Sequence, residues 1–311
     1  MRTIVAMAAF ILSRPCVNSS ITSFNTSKVQ YVEDIASIFI PTVSVFGITC
    51  NLLNICVLLS FIKKSCFHRL LCFLAILDNL HLISRSILAI VPHSLCDNPS
   101  SSTLLTGLYY VFLFLETGGC WMTLAIAIER YLGICHPLRC PLSLRKARHF
   151  LLPVLLASLL DTAAVATLSQ HSFLVHTLPC HVLPCLALVF LNTSIIVTMM
   201  GMDKVSGSSR EKMLEGAFVL ISVVVVYILS QTPHFVKNLL KQIGRADHQE
   251  EKKILSIVGD SAVVLNSSVN FLLYCAVGKQ YRANFRETFV CRSGGHNSEG
   301  NPSSQFPSSL F

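Results

Sequence analysis

This sequence is short of charge: Asp, Glu, Lys and Arg make up 13% of its 311 residues, while 52% are hydrophobic. Soluble domains carry about a quarter charged residues, so this chain lacks the polar groups to cover a water-facing surface. It has no glycine-rich phosphate loop. His81, His171, His176 and His181 lack acidic or thiol partners at metal-ligand spacing, and no Ser/His/Asp arrangement emerges from the scattered polar residues. These absences argue against an enzyme and against a metal site. No internal repeat is present either. The net charge of +8 invites a nucleic-acid reading, but the basic residues lie between apolar runs and not on one polar face. Of the thirteen cysteines, Cys50, Cys56, Cys72, Cys120, Cys185 and Cys275 fall inside apolar runs. There they act as small hydrophobes and not as a disulfide framework.

What is abundant is long apolar sequence, with a mean hydropathy of +0.62. A helix needs roughly 20 mainly apolar residues to cross about 30 Å of hydrocarbon. Seven segments qualify, at about 35–62, 69–91, 104–134, 148–168, 176–202, 213–240 and 254–277. Asp78 with Arg85, Asp161 and Asp260 interrupt the second, fourth and seventh. The expected fold is an all-α membrane protein, a seven-transmembrane bundle over 35–277. A tail at 1–34 precedes it, and a short amphipathic helix at 278–291 and a disordered tail at 292–311 follow. The apolar stretch after Arg2 leaves a signal peptide as an alternative, although Ser13-Arg14-Pro15-Cys16 is a poor cleavage site.

Orientation follows from the loop cations. With the N-terminus outside, the cytoplasmic segments hold Lys63, Lys64, Arg69, Arg139, Arg145, Lys146, Arg148, Lys204, Arg210, Lys212, Lys279, Arg282, Arg286 and Arg292. That is fourteen against seven outside. Asn18-Ser-Ser and Asn25-Thr-Ser in the first tail are acceptors for N-glycosylation. Over 278–290, Tyr281, Phe285 and Phe289 recur every four residues beside Arg282 and Arg286, which suits a helix lying on an anionic inner leaflet. Cys291 is a candidate for palmitoylation.

A charge at mid-bilayer needs a partner or a wet cavity. Asn51, Asn266 and Asn270 are the groups that could reach Asp78 across a bundle. They would serve either as glue between helices or as a polar switch site able to hold a sodium ion. Glu129-Arg130-Tyr131 closes the third segment; alone, it reads equally as a snorkelling pair at the headgroups.

Larger blocks decide between these readings. Thr117-Gly-Gly-Cys-Trp121-Met-Thr-Leu-Ala-Ile-Ala-Ile-Glu129-Arg130-Tyr131 with Cys135-His136-Pro137 resembles the third helix of rhodopsin-like G-protein-coupled receptors. Leu74-Ala75…Asp78 and Gly47…Asn51 resemble their second and first helices. Asn266-Ser-Ser-Val-Asn270-Phe271-Leu-Leu-Tyr274-Cys275, then Gly278-Lys279, is similar to their seventh helix. Asn-Phe in that place, with Leu183-Pro184…Leu191-Asn192 and Tyr227…Ser230-Gln231-Thr232-Pro233-His234, resembles the invertebrate receptors for FMRFamide-like peptides. The resemblance spans about 35–290.

It implies an extracellular peptide ligand, a heterotrimeric G-protein partner and a two-state machine in membrane lipid. Arg130, released from Glu129, would meet the G protein when the sixth helix swings about Pro233. Asn270 and Tyr274 would relay the change. The sequence also departs from the pattern. Gln231 stands where many such receptors carry Trp, and Trp121 is the single Trp of the chain. The loop before the fifth helix is short, at roughly 169–175. Leu105 occupies the usual third-helix cysteine position, leaving Cys96 and Cys180, the latter expected within the fifth helix, as the only pair for the corresponding disulfide.

Candidates for a ligand cavity in the outer half are His81, Arg85, Phe112, Glu116, Gln231, His234, Asn238 and Asp260. Phe112 in the amine-binding position and Val264 in the retinal-lysine position lower those ligand classes. Glu116 and Asp260 suit a cationic peptide side chain, or else pair internally, for instance Glu116 with Arg85. Lone His81 and His234 are ordinary packing residues on the plainer reading. Two other classes remain open: an orphan or decayed receptor of the same architecture, and a small transporter coupled through Asp78 and Asp260.

Overall fold

The computed structural model describes residues 26–59, 66–90, 99–136, 147–167, 182–201, 207–242 and 249–289. Eight helices occupy them: α1 (Thr26–Leu59), α2 (Cys66–Ile90), α3 (Pro99–Cys135), α4 (Arg148–Thr167), α5 (Leu183–Met200), α6 (Gly207–Gln242), α7 (Gln249–Val277) and α8 (Lys279–Phe289). Among the described residues, α1 to α5 and α7 are long and apolar enough to cross a membrane. The sequence of α6 runs from Gly216 to Val236 without an Asp, Glu, Lys or Arg. Asn18, Asn25, Cys96, Cys180 and Cys291 lie outside the described residues, as do residues 1–25 of the first tail, the tail expected at 292–311 and the loop expected at 169–175.

The helices outrun the apolar segments at several ends. α1 begins at Thr26, well before residue 35, because its first turns are satisfied by polar contacts. Gln30 donates to Asp34 at 2.9 Å, and Glu33 meets Lys253 of α7 at 2.8 Å. α3 opens on Pro99, whose missing N–H costs nothing in a first helical turn. α7 opens on Glu250 and Glu251, which favour the positive end of the helix dipole.

Inside the apolar stretches the hydroxyls fold back onto their own helix. Thr42, Thr49, Thr123, Ser158, Thr162, Ser194, Ser222, Thr232 and Ser261 each donate to the carbonyl four residues earlier. In hydrocarbon no water would otherwise satisfy them. The large outward side chains are apolar: Ile38, Leu104, Leu160 and Leu229 are all more than 60% exposed, a surface that suits lipid and not water.

α3 is central, packed on α2, α4 and α5, while α7 packs on α1, α2 and α6. α1 approaches α2 and α7 at Gly47, where any side chain would overlap Ser268 and come within 2.8 Å of Leu82. One turn later Asn51 therefore faces the α7 backbone directly.

α8 turns its aromatic residues inward more than an interfacial helix would. Tyr281 donates to Asn54 Oδ1 at 2.8 Å and sits 5.6 Å from the Tyr274 ring. Phe285 sits 5.8 Å from the Phe271 ring, and Phe289 is left exposed. Burial pushes the Tyr281 phenol up, so the hydroxyl stays a donor. Arg282 Nη1 caps α7 by bonding the carbonyls of Cys275 and Ala276 at 2.9 and 3.0 Å.

Candidate functional site

Three polar clusters lie along the bundle, one at each end and one between. At the end where α3 finishes, Arg130 Nε donates to Glu129 Oε2 at 2.8 Å, with 15% and 17% of the two side chains exposed. The guanidinium carbon also lies 3.6 Å from the centre of the Phe67 ring at the start of α2. Tyr131 Oη and His136 Nε2 are 3.1 Å apart.

In the middle, Asn270 Nδ2 donates to Asp78 Oδ2 at 2.8 Å, with the Ser267 hydroxyl as a second partner of the carboxylate. Asn51 does not join them. Its amide donates to the Ser267 carbonyl at 2.9 Å, because the close approach at Gly47 brings it to α7 before it can reach α2. Ser267 Oγ is 3.2 Å from His81 Nδ1, and the His81 ring stacks on Phe112 at 5.2 Å. Asp78, His81, Glu116, Gln231, Asn266 and Asn270 share a cavity of about 20 Å³. About 10–15 Å³ of such space holds one water. The cavity therefore suits a water or a small cation and is closed to an organic ligand. Tyr274 is buried on the side toward Arg130, against a second void of about 20 Å³, this one apolar, with Phe67, Ile126 and Val223 in its wall.

At the far end, Arg85 forms an ion pair with Asp260. α2 packs directly on α7 there, and Asp260 faces it, whereas Glu116 on α3 turns to the central cavity. His234 Nε2 approaches Asp260 Oδ1 at 3.4 Å, and Lys237 Nζ meets His234 Nδ1 at 3.1 Å and Ser256 Oγ at 3.3 Å. With Lys237 as an ammonium, which can only donate, Nδ1 would accept and a neutral ring would carry its proton on Nε2, toward Asp260. Arg85 also rests 5.4 Å from the centre of the Phe112 ring. Gly259 lets the His234 ring in, since a Cβ there would be 2.8 Å from it. Asn238 is half-buried one turn beyond His234, and Pro233 lies between Gln231 and His234 inside α6.

Lys237, Ser256, Ser267 and Phe67 belong to these clusters without having stood out in the sequence. A lysine three residues after His234 in an apolar helix was the one readable signal among them. Another contact joins α3 to α6: Cys120 Sγ and Tyr227 Oη are 2.8 Å apart.

No family model matches this sequence, and no curated protein matches it. Among solved structures, the crystal structure of squid rhodopsin superposes with a TM-score of 0.69, covering 89% of this chain and 92% of that one at 16% identity. The fold is that of rhodopsin. At this identity the likeness carries the architecture alone, and the ligand and partner must be argued from residues. In the rhodopsin-like frame, the Arg130 pair sits where α3 leaves the bundle, and the Arg85–Asp260 cluster closes the opposite mouth.

Proposed function

We propose that this chain is a cell-surface receptor that passes the binding of an extracellular ligand to a heterotrimeric G protein. The observation that carries the reading is the Glu129–Arg130 pair, two mostly buried charges at a bundle end, bonded to each other at 2.8 Å. A buried pair adds little stability against an apolar replacement, but it stores a cation for a partner helix. The fourteen-to-seven excess of Lys and Arg places that end in the cytoplasm, with Asn18 and Asn25 in a glycosylated outer tail and Cys291 lipidated inside. An FMRFamide-like neuropeptide is the ligand class favoured by Asn270-Phe271 and the α5 and α6 motifs. Asp78, Ser267 and Asn270 fit a sodium ion, whose charge would stabilise the ionised carboxylate.

One observation favours a second reading. The mouth is filled by the chain's own Arg85, Asp260, His234 and Lys237, as in a receptor that works without a diffusible agonist.

The test expresses the chain with an N-terminal epitope and records calcium and cyclic AMP, with and without a panel of amidated peptides, per receptor stained on intact cells. Arg130→Ala should abolish signalling. Glu129→Gln should raise basal activity several-fold, as expected for a partly solvated pair worth about 1 kcal/mol. If both variants lower surface protein equally and leave signalling per receptor unchanged, Arg130 is a snorkelling residue and the reading fails. A peptide response selects the first ligand reading; basal activity unmoved by any peptide selects the second.

A further inference from the structure

We propose that Phe67 is a second holder of Arg130, a positioning residue that keeps the guanidinium against α2 until the bundle opens. The inference rests on the reading of Arg130 as the G-protein contact and adds a residue to it. Glu129 is the immediate chain neighbour of Arg130, so it moves with α3 and cannot by itself fix the arginine to another helix. Phe67 can, because it sits in the first turn of α2. Its ring centre is 3.6 Å from Arg130 Cζ, well inside the range of about 6 Å for an attraction between a cation and an aromatic face. With 15% of the Arg130 side chain exposed, water competes weakly for the guanidinium, which strengthens such a contact.

The surroundings make the contact a latch and not fixed packing. Phe67 borders the apolar void of about 20 Å³ whose wall also includes Val223 of α6 and Tyr274 of α7. A gap without partner atoms forfeits dispersion energy, so the ring is held on that side less firmly than a core residue. A shift of α6 or Tyr274 into or out of the void changes what supports Phe67. The void thereby links movement of the sixth and seventh helices to release of the arginine. Glu129 holds the Nε edge and Phe67 the face, and both must be left before Arg130 can reach a partner.

The test uses the full chain in cells and in nanodiscs. Basal dissociation of a panel of Gα–βγ sensors is read per surface receptor for Phe67→Leu, Phe67→Tyr and Phe67→Leu with Arg130→Ala. Phe67→Leu keeps apolar bulk without a ring face and should raise basal activity about five- to thirty-fold, the range from a partly to a fully desolvated cation–aromatic contact. Phe67→Tyr should stay near wild type, and the double variant should show the silence of Arg130→Ala alone. In parallel, nuclear magnetic resonance of isotope-labelled arginine should show the Arg130 Nε–H shifted upfield by the ring, a shift lost in Phe67→Leu and kept in Phe67→Tyr. An unchanged resonance in Phe67→Leu overturns the proposal. So does a moved resonance with unchanged basal activity, provided Glu129→Gln raises it. If Arg130→Ala itself leaves signalling intact, the G-protein reading has failed, and the resonance alone then decides whether Phe67 holds the arginine.

Discussion

The two ends of the bundle each bury a pair of opposite charges, and they are built on opposite principles. At the α3 exit the partners are adjacent in the chain, so the pair forms wherever α3 is helical and ties nothing together unless Phe67 joins in. At the far mouth Arg85 and Asp260 come from α2 and α7, and His234 and Lys237 of α6 extend the cluster. The first arrangement is suited to being broken repeatedly at small cost. The second fastens three helices, and losing a member leaves a charge in a buried place.

The largest effect should come from stranding that charge. Arg85→Ala should lower stability by about 3–5 kcal/mol, the cost of removing one member of a buried pair. It should be seen as a lower thermal inactivation midpoint in detergent, with Arg85→Met plus Asp260→Leu recovering most of the loss. Glu129→Ala should move the same midpoint far less. Equal losses would erase the contrast between the two ends. A smaller effect is expected at the glycines. Gly259→Ala puts a methyl 2.8 Å from the His234 ring and should cost about 1–3 kcal/mol as overpacking. Gly133→Ala near the Arg130 end meets nothing within 4 Å and should be neutral, or stabilising by up to about 1 kcal/mol through helix propensity. The smallest loss is Tyr281→Phe, which removes the bond to Asn54 and should cost about 0.5–1.5 kcal/mol. A larger loss would mean that α8, and not the mouth cluster, is the main clasp of the bundle.

The architecture was legible because seven long apolar runs admit few other solutions, and because a pair of sequence neighbours such as Glu129 and Arg130 needs no tertiary knowledge. Asp78 with Asn270 was also within reach, since a mid-membrane carboxylate restricts its partners to the few nearby amides. The meeting of Arg85 with Asp260 was not, because it depends on which faces α2 and α7 turn to each other. Asn51 went to a backbone carbonyl for the same reason: the absence of a side chain at Gly47 sets the distance, and only the packed helices reveal it. Tyr281 looked like a membrane-surface residue because an amphipathic pattern gives one apolar face without saying whether lipid or protein covers it.

The smallness of the central cavity carries a kinetic consequence. A space of about 20 Å³ admits no ligand larger than a few atoms, so on the receptor reading proposed above an agonist could occupy it only after opening. If the open form is populated only a fraction f of the time, the apparent affinity of any agonist is weaker than its intrinsic affinity by that same fraction. Its association rate would then fall below the typical 10⁵–10⁷ M⁻¹s⁻¹ of roughly preformed sites. Loosening the Arg85–Asp260 fastening would then speed ligand entry and tighten apparent binding together, without adding a single contact to the ligand.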